Sequence, residues 1–170
     1  MIARRARPVS PAVWILGPMA AAFAASLILA VPLRVAGLQL PEPVFALAPA
    51  FAWAMARPSV MPPVALAALG LALDLLWGDP PGLWAVCILT AYALVFFSRR
   101  ILAGQDVLAL WGAYALACAA AMLVGFALVG LRAGHAPDFV GVVLQFAVTV
   151  ALFPFAWMLI ERYEAPDTRF

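Results

Sequence analysis

Residues 57–100 read RPSVMPPVALAALGLALDLLWGDPPGLWAVCILTAYALVFFSRR. Two apolar runs, Val60–Trp77 and Leu83–Phe97, flank the short turn Gly78-Asp79-Pro80-Pro81-Gly82. Arginine closes both ends: Arg57 before the first run, Arg99 and Arg100 after the second. Glycine allows positive φ and proline presets a bend, so the turn predicts a tight helical hairpin. Pro62 and Pro63 fit a helix start, where the first amides have no internal partner. Gly70, Asp74 and Gly78 recur every four residues, which places them along one helix face. Small residues there let a partner backbone approach closely.

The rest of the chain extends this reading. Of 170 residues, 68% are hydrophobic, ten are basic and eight are acidic. Soluble domains are roughly 45–50% apolar and about 25% charged. The balance excludes an ordinary soluble enzyme, and the net charge of +2 is too small for a nucleic-acid footprint. The expected fold is an all-α integral membrane protein, a single domain over 1–170 with six transmembrane helices. The spans are about 12–31, 44–56, 60–77, 83–97, 107–131 and 139–160. The second is short: Val44–Ala56 reach only about 20 Å against a ~30 Å hydrocarbon core. It is therefore expected to be tilted, broken or buried among the others.

Six spans with the N-terminus inside collect Arg4, Arg5, Arg7, Arg57, Arg99, Arg100, Arg162 and Arg169 on the inner side. Only Arg34 and Arg132 fall outside, a positive-inside bias that puts both termini in the cytoplasm. Trp14, Trp53, Trp111 and Trp157 fall near inner ends, and Trp77 and Trp84 near the outer turn, as interfacial indoles would. Cys87 and Cys118 lie in apolar runs and read as small hydrophobes. Small-residue stripes on span one (Gly17, Ala20, Ala21, Ala24, Ala25) and span five (Ala113, Ala117, Ala121, Gly125) read first as internal packing faces, with contact to a partner's span as the alternative.

Few polar residues interrupt the spans: Ser26, Asp74, Thr90, Gln145 and Thr149. An ionisable residue inside a span is a functional-site hypothesis by default, and Asp74 is the one such residue here. Thr90 and Gln145 lie at similar depth, so the spacing permits an outward-facing cluster of all three. The same residues could instead form a structural hydrogen-bond set. In that case Asp74 would pair with Gln or Thr, with an amide at a neighbouring helix start, or with Arg132. Asp79 reads as a solvated turn residue, and His135, in the outer loop, as a solvated loop residue. No nucleophile stands beside a base, and no metal-ligand spacing or nucleotide loop is present.

The order Arg57-Pro58, a span with Gly70-x-x-x-Asp74, Trp77-Gly78-Asp79-Pro80-Pro81-Gly82-Leu83, and a span with Tyr92 resembles the MreD family of rod shape-determining proteins. The motif covers about a quarter of the chain; length and span count extend the likeness. Pro81 departs from the Leu often found before that last glycine. The resemblance implies a fold like the six-helix substrate-binding subunits of energy-coupling-factor transporters. It implies a non-enzymatic scaffold of the cell-elongation machinery in the bacterial inner membrane, without a cofactor. The implied partners are MreC, RodA with its transpeptidase partner, and MreB indirectly; membrane lipid surrounds the protein, and no nucleic acid is involved. The candidate partner or pocket site is Gly70, Asp74, Gly78, Pro80, Gly82, Thr90 and Gln145. The alternative is a vitamin-uptake subunit of such a transporter. A lipid-directed membrane enzyme is disfavoured by the missing catalytic residues.

The orientation is testable with reporter fusions. A fluorescent protein fused after Phe170 should fluoresce, and alkaline phosphatase there should be inactive. The same pair fused after Gly82 should give the opposite result. An active phosphatase at Phe170 would overturn the six-span orientation.

Overall fold

The computed structural model of the chain describes residues 11–29, 34–35, 38–39, 42–56, 59–133 and 138–163. Among these, the helices are α1 (Pro11–Leu29), α2 (Leu47–Ala56), α3 (Met61–Trp77), α4 (Leu83–Leu102), α5 (Val107–Ala133), α6 (Phe139–Val150) and α7 (Phe153–Tyr163). Between α1 and α2 lies a two-residue antiparallel ladder. It pairs β1 (Arg34–Val35) with β2 (Leu38–Gln39), Arg34 opposite Gln39 and Val35 opposite Leu38. Three helical stretches are long and apolar enough to cross a membrane: Leu83–Leu102, Val107–Arg132 and Phe139–Glu161. The helices of the first three apolar runs are shorter. Arg4, Arg5, Arg7, Arg57, Arg169 and His135 lie outside the described residues, as do the side chains of Trp14, Arg34 and Arg162.

The centre of the molecule is α2. Leu47 through Ala54 are all buried, and α1, α3, α4, α5 and α7 all pack on this one helix. Its sequence, LAPAFAWAMA, alternates alanine with larger residues, so backbones can approach from several sides. Trp53 is fully buried here, not at a surface as the interfacial reading expected. The helix is only about 15 Å long, and Pro43, Val44 and Ala46 continue the buried path before it. The short second run is thus buried among its neighbours, one of the three arrangements expected.

Non-helical backbone buried in this way needs partners inside the protein, because lipid offers none. Those partners come from α6. Thr149 Oγ1 accepts from Val44 N–H at 3.1 Å, and Gln145 Nε2 donates to the Glu42 carbonyl at 3.0 Å. The Thr149 hydroxyl donates in turn to the Gln145 carbonyl at 2.7 Å, so its proton and a lone pair are both used.

The sixth run is not one helix. A turn at Ala151-Leu152 separates α6 from α7, and Pro154 explains it: proline has no N–H to give the Val150 carbonyl. Side chains of α5 meet two carbonyls at the break, of which Thr149 O also accepts from Leu152 N–H at 3.0 Å. Trp111 Nε1 donates to Val150 O, and Tyr114 Oη donates to Thr149 O, each at 3.3 Å. Trp111 is therefore engaged by the helix break as well as by the bundle end. Phe153 follows the break and anchors α7. It meets Phe51 edge-on at 6.4 Å and stacks on Trp111 at 6.1 Å, while Phe51 meets Tyr114 edge-on at 5.3 Å.

Other boundaries also shift. The fourth helix does not stop at Ser98-Arg99-Arg100 but continues to Leu102, with both arginines in its last turn. Cations suit that end of a helix dipole, so arginine does not terminate the helix. Gly104, at φ +82°, then turns the chain toward α5. The α5 stripe packs internally as expected: Ala117 and Ala121 are buried, and a Cβ on Gly125 would lie 3.1 Å from Cys87 Sγ. The α1 stripe does not. Gly17, Ala20, Ala21 and Ala24 are exposed, because α1 turns Ala22 and Ser26 inward instead. The Ser26 hydroxyl is satisfied by the Ala22 carbonyl of its own helix at 3.0 Å.

The Thr149 junction gives a stability prediction. Thr149→Val keeps the shape but strands the Val44 amide, and should cost about 1–2 kcal/mol. Thr149→Ser should recover most of the loss. Thermal unfolding of the detergent-purified protein measures both, and a valine variant as stable as the parent would refute the role.

Candidate functional site

The motif that stands out in the sequence becomes the hairpin of α3 and α4. Gly70 sets the distance between the two helices. A Cβ there would sit 2.4 Å from Ala85 Cα and 2.5 Å from Ala85 N. Those atoms are backbone, so any side chain at residue 70 must push α4 away as a body.

One turn further along, Asp74 is buried at 1% exposure. Its Oδ2 accepts from Gly82 N–H at 2.7 Å and its Oδ1 accepts from Trp84 N–H at 2.8 Å. These are amides at the start of α4, which no intrahelical carbonyl can satisfy. The carboxylate therefore caps α4 from the facing helix, where the partial positive charge of the helix start favours an anion. Gly82 precedes α4 without a side-chain cap of its own, so Asp74 supplies that function. The backbone carbonyl of Asp74 closes α3, accepting from Gly78 N–H and from Asp79 N–H.

The turn residues complete the hairpin. Gly78 (φ +71°) and Gly82 (φ +92°) hold left-handed backbone that side chains disfavour. Asp79 is not a solvated turn residue. It is half-buried, and its Oδ2 accepts from Trp84 Nε1 at 2.8 Å. Trp77 meets the Trp84 ring edge-on at 5.2 Å. The two indoles therefore pack on each other across the turn, and one of them is tied to Asp79.

Asp74, Thr90 and Gln145, which the spacing permits to cluster, share no hydrogen bond with one another. Asp74 is committed to α4, Thr90 donates to the Val86 carbonyl of its own helix at 2.8 Å, and Gln145 donates to Glu42 O. Of the alternatives read for Asp74, the amides of a neighbouring helix start are its partners. Gln145 instead lines a cavity of about 150 Å³ with Asp79, Trp84, Cys87 and Phe126. Pro80 and Gly82 line a second hollow of about 210 Å³ with Arg132. Asp79 and Trp84 thus belong at the cavity, and sequence reading missed both. The available signal was a carboxylate five residues before an indole, across a turn that folds one back on the other.

Glu42 lies in the segment leading into α2. Burial pushes its carboxyl above the ordinary value, opposed by the neighbouring Trp77 indole N–H. A carboxyl raised in the folded state disfavours its own charge. Glu42 alone therefore makes the fold less stable as pH rises through the carboxylate range. Among the described residues, no three His, Cys, Asp or Glu side chains come together in a way that could hold a metal ion.

The class these observations define is an all-helical protein, three of whose helical stretches are long and apolar enough to cross a membrane. No protein-family model, curated protein or solved structure matches the chain.

Substitutions in the hairpin should separate capping from spacing. Asp74→Ala leaves two amides without acceptors and should cost about 2–3 kcal/mol. Asp74→Asn keeps one acceptor but turns an NH₂ toward a donor, and should fall between. Gly70→Ala should cost about 1–3 kcal/mol through displacement of α4. Thermal unfolding in detergent reads all three, and an Asp74→Ala protein with unchanged stability would refute the cap.

Proposed function

We propose that this protein is a non-enzymatic scaffold of the bacterial cell-elongation machinery, of the MreD type. It lies in the inner membrane with six apolar segments and both termini in the cytoplasm. Its proposed fold is that of the substrate-binding subunits of energy-coupling-factor transporters. It associates with MreC and, through it, links MreB filaments to RodA and its transpeptidase partner. The observation that carries this reading is the α3–α4 hairpin. Gly70, Asp74, Gly78 and Gly82, the residues of the resemblance, each have a structural task in one compact turn. A motif spent on shape, with its carboxylate satisfied by backbone, suits a protein that presents a surface to others.

The outward small-residue face of α1 supports a membrane partner, since Gly17, Ala20, Ala21 and Ala24 would let a second helix approach closely. That face would also suit the coupling subunit of a vitamin transporter, the second reading. The hollow beside Asp79, at about 150 Å³, is smaller than the ~300–1,000 Å³ of typical ligand pockets and favours the scaffold.

Depletion in the native bacterium distinguishes them. The scaffold predicts rounded cells and recovery of MreC with the tagged protein. Ala21→Leu combined with Ala24→Leu should reduce that recovery severalfold without loss of the folded protein. Normal rods with lost vitamin uptake would overturn the scaffold in favour of the transporter subunit.

A further inference from the structure

A cleft of about 600 Å³ lies at the opposite end of the bundle from the 78–82 turn. Two kinds of surface meet there. Arg99 and Arg100 come from the last turn of α4, with Gln105 from the following loop. Lining the cleft with them is an apolar wall of half-buried Met55, Leu102 and Trp157, backed by the buried Leu110 and Ile160. Among the described residues, neither guanidinium has a carboxylate within 4.0 Å. Asp106 is nearby in sequence but is engaged elsewhere, accepting from Ala109 N–H at the start of α5. The Arg99 guanidinium sits 4.6 Å above the Phe96 ring, which itself stacks on Tyr92 at 5.9 Å. That contact holds one of the two cations at the cleft without neutralising it.

We infer that this cleft binds one anionic phospholipid, its phosphate between Arg99 and Arg100 and an acyl chain along Met55, Leu102 and Trp157. Three features of the site match that one molecule. Two guanidiniums with no carboxylate partner among the described residues fit the charge and the forked geometry of a phosphate. An apolar wall beside them fits a hydrocarbon chain, which a free phosphate does not have. The position, where a membrane-length helix ends in arginine, is where a headgroup lies. A basic recess between helix ends is a site that lipid headgroups fill, and Gln105, whose Nε2 donates to the Ile101 carbonyl at 3.3 Å, has a second amide N–H to add as a neutral donor. The proposed orientation enters only in assigning the lipid to the inner leaflet.

Native mass spectrometry of the full chain, released from detergent, tests this directly. The protein is titrated with phosphatidylglycerol or with phosphatidylethanolamine of the same chains. Phosphatidylglycerol should be retained one to one, and in clear preference to the zwitterionic lipid. Arg99→Gln with Arg100→Gln should weaken retention about thirtyfold, from roughly a tenfold unit per 1.4 kcal/mol and about 1 kcal/mol per arginine. Arg132→Gln, at the other end, should leave it unchanged. Gln105→Glu, at an exposed loop position, sets a negative charge in the cleft and should also weaken retention. It decides the matter if the arginine variant does not fold. Equal retention of both lipids, or undiminished retention in Gln105→Glu, would overturn the proposal. So would displacement of the lipid by millimolar inorganic phosphate, which would make the site one for a free anion. None of these outcomes depends on MreC or on cell shape, so this inference and the scaffold reading fail separately.

Discussion

A backbone amide or carbonyl inside an apolar molecule must find its partner within the molecule, and this fold is organised around the places where a helix cannot provide one. Four helix ends or breaks leave backbone groups to be satisfied: the start of α2, the end of α3, the start of α4 and the break between α6 and α7. Each is met by specific side chains or by a glycine. Thr149 and Gln145 serve the segment leading into α2. Asp74 serves α4, and Trp111 and Tyr114 serve the broken α6–α7 helix. Three of the scarce polar residues of the spans, Asp74, Gln145 and Thr149, do this, while Ser26 and Thr90 bond only within their own helices.

That accounting changes what the motif means. A lone buried carboxylate in a membrane helix invites a proton or ligand function. Here both oxygens of Asp74 are committed to amides, and the carboxylate that faces a cavity is Asp79. The hairpin also joins two scales. Gly70 fixes α3 and α4 at backbone contact, and Trp84, on α4, reaches back to Asp79. A change in the turn is therefore transmitted to the spacing of two helices. This is a useful property in a protein whose proposed work is to present a defined surface to partners.

Much of this was legible in the sequence, and the reasons for the rest are physical. The apolar runs and the 78–82 turn were visible because hydropathy and turn chemistry are local. The internal α5 stripe was visible because small residues at steps of four have few other uses. The break at 151–152 was less so, since a proline in an apolar run can kink, break or merely bend a helix according to what receives the freed carbonyls. Those receivers, Trp111 and Tyr114, lie some forty residues away (about 35–39 in sequence). That Asp74, Thr90 and Gln145, which spacing allowed to meet, each bond elsewhere has the same cause. Depth can be estimated from position in a span, but the direction a residue faces depends on which helices are neighbours. The α1 stripe failed similarly: its small residues permitted close packing, and no local signal said on which side.

The burial of α2 has a consequence for how the chain is made. This helix has about half the length of a membrane crossing and a non-helical lead-in, and its neighbours include α7, which is synthesised last of the described helices. During translation, α2 therefore leaves the ribosome long before the segment that closes over it. The Val44 amide and Glu42 carbonyl wait for Thr149 and Gln145 across roughly a hundred residues of intervening chain. Insertion can proceed in order from the N-terminus, but closure of the centre cannot. In biogenesis, the second element is among the last to reach its final surroundings.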